Sequence, residues 1–208
     1  MPIILRGLGN TVLLGCTSIL FGTIAGLVLC LLRLYAPKPL RMLAVVFIDV
    51  FRAMPVLVVL ILIYYALPFV GIRLTSFTSA AIALSLVLAA FTAEVFRAGI
   101  ENVPRGQFEA ADSLGLPFYL IMWKVILPQA LRVVIPPQTS NCVSVIKDTA
   151  LASVVAMPDL LKQATDAQAL FANPTPLIGA AIIYLILLWP LVRLVSYLDG
   201  RSRLQKQR

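Results

Sequence analysis

The 208 residues carry a net charge of +8, yet 61% are hydrophobic and only 12% charged, against about 25% charged in an average soluble domain. So few charges cannot cover the surface of a soluble core; soluble enzymes are excluded, and an all-α membrane protein forming one domain over 1–208 is predicted. There is no histidine, Cys16, Cys30 and Cys142 are too widely spaced for a CxxC pair, and no GxxxxGK[ST] loop is present, so no metal site, directly bound cofactor or catalytic residue is expected.

Five membrane spans are expected, at about 11–34, 45–72, 74–96, 130–156 and 177–198. In the first, Thr11 to Leu32 is a run of 22 uncharged residues, enough at about 1.5 Å per residue to cross roughly 30 Å of hydrocarbon and longer than the apolar region of a cleaved signal. Gly22 and Gly26 in it form a GxxxG, read as close helix packing within the subunit. Gly71 and Arg73 separate the second span from the third, and Lys147 and Asp148 interrupt the fourth. The fifth follows Asn173-Pro174-Thr175-Pro176.

An odd number of spans puts the termini on opposite sides, and basic residues favour the cytoplasm. With the N-terminus outside, twelve fall inside (Arg33, Lys38, Arg41, Arg97, Arg105, Lys124, Arg132, Arg193, Arg201, Arg203, Lys206, Arg208) and three outside (Arg6, Arg73, Lys162). An external N-terminus and a cytoplasmic C-terminus are therefore expected. The lipid edge accounts for this basic charge, so nucleic acid is not an expected partner.

Between spans three and four, residues 97–132 form a loop longer than a tight connection needs. A short helix is expected through Glu109-Ala110-Ala111, stopped by Gly115 and Pro117, with a second helix after Pro117 until Leu127-Pro128 restarts the chain. Two small alanines beside an exposed carboxylate suit a docking surface. In span four, Asn141, Ser144 and Asp148 share a narrow arc with Gln138 nearby, a polar stripe that suits a substrate path. Its depth depends on whether the helix starts near Pro128 or at Pro136-Pro137, and an alternative is that Asp148 simply pairs with Lys147. Glu94 with Arg97 and Asp49 with Arg52 are spaced for local ion pairs, or for an inner gate.

Glu109-Ala110-Ala111, three residues, Gly115 and then Ile126-Leu127-Pro128 resemble the EAA loop of ABC importer permeases. Phe51-Arg52-Ala53-Met54-Pro55, the stretch Ala93 to Ile100, Leu127 to Arg132 and Lys147 to Ser153 resemble the polar amino-acid uptake branch, and the likeness runs from Thr11 to Gly200. Ala53-Met54 departs from the small residue and threonine common there. The resemblance implies a type I importer permease fold, with Glu109, Ala110, Ala111, Gly115, Leu127 and Pro128 docking a separate ATPase that binds the ATP. It also implies the bacterial inner membrane, a dimer of ATPases, a second permease, the same chain or a related one, an external solute-binding protein and an amino-acid substrate, for which the polar residues Asn141, Ser144, Asp148 and Glu94 are read as the path. The competing class is an ion-coupled secondary carrier of small polar solutes, which would need neither the long loop nor an ATPase.

Overall fold

A bilayer interior leaves no water for unpaired backbone groups, and the chain meets this constraint with helices alone: among the described residues there is no strand. The computed structural model describes residues 2–206, with side-chain surroundings described for 4–200, so the side chains of Arg201, Arg203, Lys206 and Arg208 lie outside the description. Four helical stretches are long and apolar enough to cross a membrane: Ile4–Tyr35, Ser76–Glu101, Phe118–Val155 and Thr175–Gly200. They belong to α1 (Pro2–Tyr35), α4 (Ser76–Glu101), the run that contains α7 (Leu127–Asp148), and α9 (Thr175–Lys206).

A fifth crossing requires a bent pair. The segment expected as one span over 45–72 is instead α2 (Lys38–Ala53) and α3 (Val56–Ile61), the latter continued by a π turn at Leu62–Ala66 and a 3-10 turn at Leu67–Val70, with the two limbs meeting at 106°. Pro55 is the cause: it lacks an amide hydrogen and drives Met54 out of the helical region, to φ −83 and ψ 133. α2 buries Ala44 and Ile48, and Ile48 packs with Cys30 of α1 and Ala93 of α4.

The loop also differs from expectation. α5 (Arg105–Ser113) is the short helix foreseen, but the second helix is not separate. α6 (Phe118–Ile121) passes through a π turn at Met122–Ile126 directly into α7, because Pro128 falls in the first turn of α7, where its missing amide costs nothing. Pro136 and Pro137 therefore lie inside α7 rather than at its start. A 3-10 segment, Thr149–Val155, leads to α8 (Leu160–Phe171), which packs on α1 and α9.

The main seam joins α1 to α4. A Cβ on Gly22 would stand 2.9 Å from the Leu88 side chain, and one on Gly26 would stand 2.5 Å from Thr92 and 2.7 Å from the Ala89 carbonyl. The GxxxG thus serves packing inside the subunit. Across the next seam, a Cβ on Gly99 of α4 would fall 2.2 Å from Val134 of α7. Gln138 of α7 donates to Thr92 of α4 at 3.0 Å and Thr23 of α1 at 3.4 Å, tying three helices together.

Asp159 sits fully buried between the start of α1 and α8. One oxygen caps α8 by accepting the Lys162 amide at 2.9 Å, while the other has no hydrogen-bond partner among the described residues. Burial pushes this carboxyl up from 3.8 to about 6. The folded chain then holds a proton that the unfolded chain has already lost, so Asp159 makes stability fall as pH rises from about 4 to about 6, with no further change above. Asp159→Asn keeps the capping oxygen and should raise stability at pH 7 by about 2 kcal/mol while flattening that slope. Thermal unfolding in detergent across pH 4 to 7 checks this, and identical slopes for the two proteins would contradict it.

Candidate functional site

Two regions gather the residues singled out from the sequence. The first is the hairpin at the ends of α4 and α7. α5 closes with the Gly115 amide donating to the Asp112 carbonyl at 2.8 Å and the Leu116 amide to that of Ala111 at 3.4 Å. This pair of bonds requires the left-handed backbone that Gly115 adopts at φ 73. Successive helical residues point about 100° apart, so the three-residue motif divides. Ala111 is buried against Ile121 and Ile126 of this chain, while Glu109 and Ala110 are exposed. Pro128 is exposed and Leu127 half-buried beside them. Leu114, Tyr119 and Trp123 add exposed apolar surface to the hairpin, each more than 60% accessible, and sequence reasoning had not assigned them to it. The sequence carries little signal for them, because Tyr119 and Trp123 stand in the almost wholly apolar run 117–128, where composition does not separate exposed from buried side chains. Gln129 donates to Gln107 at 3.3 Å, which holds α5 on the start of α7.

The second region is a pocket of about 270 Å3 between α3, α4 and α7. Asn141, Ser144 and Asp148 line it on one side, and Val56, Leu84, Val87, Leu88 and Phe91 line it on the other. The polar stripe of span four therefore faces a cavity. Its depth follows as well: Leu84, on the wall opposite, lies eight residues along α4 from Ser76, about 12 Å in. Asp148 belongs to the interior of the bundle, not its rim. No ion pair joins it to Lys147 among the described residues, and Lys147 is exposed. The Asn141 amide nitrogen has no partner among them, which leaves a donor free at the pocket. Gln138 does not join the stripe, being spent on Thr23 and Thr92.

Glu94 lies one turn beyond Phe91 and does not line the pocket. It accepts from Arg33 of α1 at 2.8 Å and from Arg97 of its own helix, which also reaches Glu101. Arg52 at the end of α2 stands 4.0 Å from the same carboxylate. The expected local pair of Asp49 with Arg52 does not form, because α2 turns Arg52 toward α4. The arginines of three helices therefore converge on one carboxylate. Local spacing showed only the Arg97 contact, since Arg33 and Arg52 reach Glu94 through tertiary packing.

These features coincide with one family. The family described as the binding-protein-dependent transport system inner membrane component matches residues 18–204. The chain is 38% identical over 202 residues to an L-cystine transport system permease of Bacillus subtilis strain 168, covering 96% of this chain and 86% of that one. An arginine transport system permease of the same organism is 35% identical over 189 residues, covering 90% and 86%. A solved amino acid ABC transporter with histidines superposes with a TM-score of 0.89 at 34% identity, over 96% of this chain and 94% of that one. The MetNI methionine ABC transporter, in inward-facing form, shares the fold at a TM-score of 0.77 and 21% identity, with 97% of each chain covered. The chain belongs to the family of inner-membrane permeases of binding-protein-dependent ABC importers. It is a transport subunit, and the ion-coupled carrier alternative is not favoured by any of these likenesses.

Gly115→Val is expected to weaken coupling to ATP hydrolysis by roughly tenfold without loss of the spans. A β-branched residue at that φ costs about 1 kcal/mol or more and distorts the hairpin alone. Nothing lies within 4 Å of a Cβ built at Gly115, so strain and not collision is the cause. Substrate-stimulated ATPase activity of the assembled importer measures the effect, and wild-type values would remove Gly115 from the docking element.

Proposed function

We propose that this chain is the membrane-spanning subunit of an importer of amino acids or closely related polar solutes, driven by ATP hydrolysed on a separate subunit. Two permeases, the same chain twice or this chain with a related one, would form the pore upon two ATPase subunits, with an external binding protein delivering the solute. The observation that carries this reading is the placement of Asn141, Ser144 and Asp148 around one interior pocket. A polar stripe turned to lipid would be costly, whereas an amide, a hydroxyl and a carboxylate inside the bundle can replace the water lost by a zwitterion's ammonium and carboxylate. The names of the cystine, arginine and other amino-acid permeases among its relatives support the solute class.

The docking element in this reading is the hairpin built on Glu109, Ala110, Ala111, Gly115, Leu127 and Pro128. Ala110 lets a partner approach the backbone and Glu109 offers a charge, while buried Ala111 seats α5 on this chain's own core. Because α6 runs unbroken into α7 through Met122–Ile126, a push on the hairpin travels directly into the helix that carries the stripe. The ATPases would thus switch the pocket between two accessibilities and perform no chemistry on the solute.

Two experiments test the reading. Asp148→Asn should lower reconstituted uptake about tenfold with complex yield unchanged, since it removes one charge-assisted contact of about 1.5 kcal/mol or more. A combined Lys147→Gln and Asp148→Asn variant should not recover; full recovery would make the two residues a structural pair. For orientation, single cysteines replacing Arg73 or Asp166 should react with an impermeant thiol reagent on intact cells, and one replacing Arg105 only after permeabilisation. The reverse pattern would invert the topology.

A further inference from the structure

The pocket has two ends. α4 and α7 run in opposite directions along it, so Leu84 pairs with the Asp148 end and Phe91 with the Asn141 end. On the orientation proposed above, the Phe91 end faces the cytoplasm. Val56, the first residue of α3 after the 106° junction, lines the wall there. Phe91, which lines this pocket, is 39% exposed, whereas its α4 neighbours Leu88, Ala89 and Ala90 are buried. Directly behind the ring stands the Arg52 guanidinium, 5.8 Å from the ring centroid.

The contacts of Arg52 are graded. Glu94 is already engaged by Arg33 at 2.8 Å and by Arg97, so Arg52 at 4.0 Å is its third and loosest cation. Its side chain is 39% exposed, against 21% for Arg33 and Arg97. Arg33 holds α1 to α4, helices already locked by the Gly26 contact, and Arg97 stays within α4, whereas Arg52 comes from the end of α2, just before the 106° junction with α3. A weak contact placed across a bend can break and reform without disturbing the rest of the cluster.

We propose that Phe91 is the inner plug of the pocket and that Arg52 is its latch, a positioning residue that holds the ring across the pathway until α2 moves relative to α3. Glu94 is the fixed anchor for the latch. Asn141, next to Phe91 at the same end, is left with a free amide that a solute reaches only as it passes the plug. This assignment rests on the pocket being the transport path, and the test separates the two ideas.

The test uses the intact importer in which Cys16, Cys30 and Cys142 have been replaced and Ser144→Cys reports on the pocket. Its reaction with a sulfonated, membrane-impermeant maleimide is followed from each face of proteoliposomes. The importer is read both without nucleotide and trapped with ATP and orthovanadate. In the trapped state, labelling from the cytoplasmic face should be slow, and Phe91→Ala should speed it about tenfold, because the ring that obstructs the opening is gone. Arg52→Gln should speed it about threefold, and Arg52→Lys, which keeps a cation for the ring, should restore slow labelling. Equal cytoplasmic rates for the parent, Phe91→Ala and Arg52→Gln would overturn the plug and latch while labelling from the outer face upheld the pathway. Absence of labelling from both faces in both states would overturn the pathway and the plug with it. If Phe91→Ala lowers assembly, Arg52→Gln decides the question alone, because its side chain lies outside the packed core.

Discussion

The approach of α1 to α4 is the contact on which the other parts of the molecule depend. In hydrocarbon there is no hydrophobic force to press two apolar helices together, so they associate by close packing and interhelical hydrogen bonds. Gly22 and Gly26 supply the first by letting Leu88, Ala89 and Thr92 come to distances that any side chain would forbid. Gln138 supplies the second by reaching Thr92 and Thr23 from the third helix. With α1 and α4 held in register, Arg33 arrives beside Glu94. With α7 held to both, Asn141, Ser144 and Asp148 share a pocket with Leu84, Leu88 and Phe91 of α4.

Charge is arranged to be satisfied at one end of this frame and left available in the middle. Three arginines and Glu101 surround Glu94, a cluster in which one carboxylate fastens the ends of three helices. One turn away, the pocket has a carboxylate without an ion-pair partner among the described residues and an amide without a hydrogen-bond partner. Such groups are expensive inside a membrane and persist where something passes that can pair with them. Phe91 separates the two environments, lining the pocket on one face and meeting Arg52 on the other.

The hairpin is built apart from this frame. The Gly115 turn seats α5 on a small core of its own, formed by Ala111, Ile121 and Ile126. Its exposed surface, Glu109 and Ala110 with Leu114, Tyr119 and Trp123, is apolar beyond what a solvated loop needs. The π turn at Met122–Ile126 joins that surface to α7 without a break in the helical run.

Composition and periodicity alone determined that the chain is a helical membrane protein, that Gly115 ends a short helix, and that Asn141, Ser144 and Asp148 share a face. Each of these depends on residues near one another in sequence, whose geometry follows from the helix itself. The break at Pro55 was also written there, but a run of apolar residues on either side of it reads as one span, because hydropathy counts length and not direction. Which way the stripe points, the convergence of Arg33 and Arg52 on Glu94, and the place of Phe91 between pocket and cation are contacts among α1, α2, α4 and α7. They join residues dozens of positions apart, and only the close packing at Gly22, Gly26 and Gly99 brings those helices near enough to decide them.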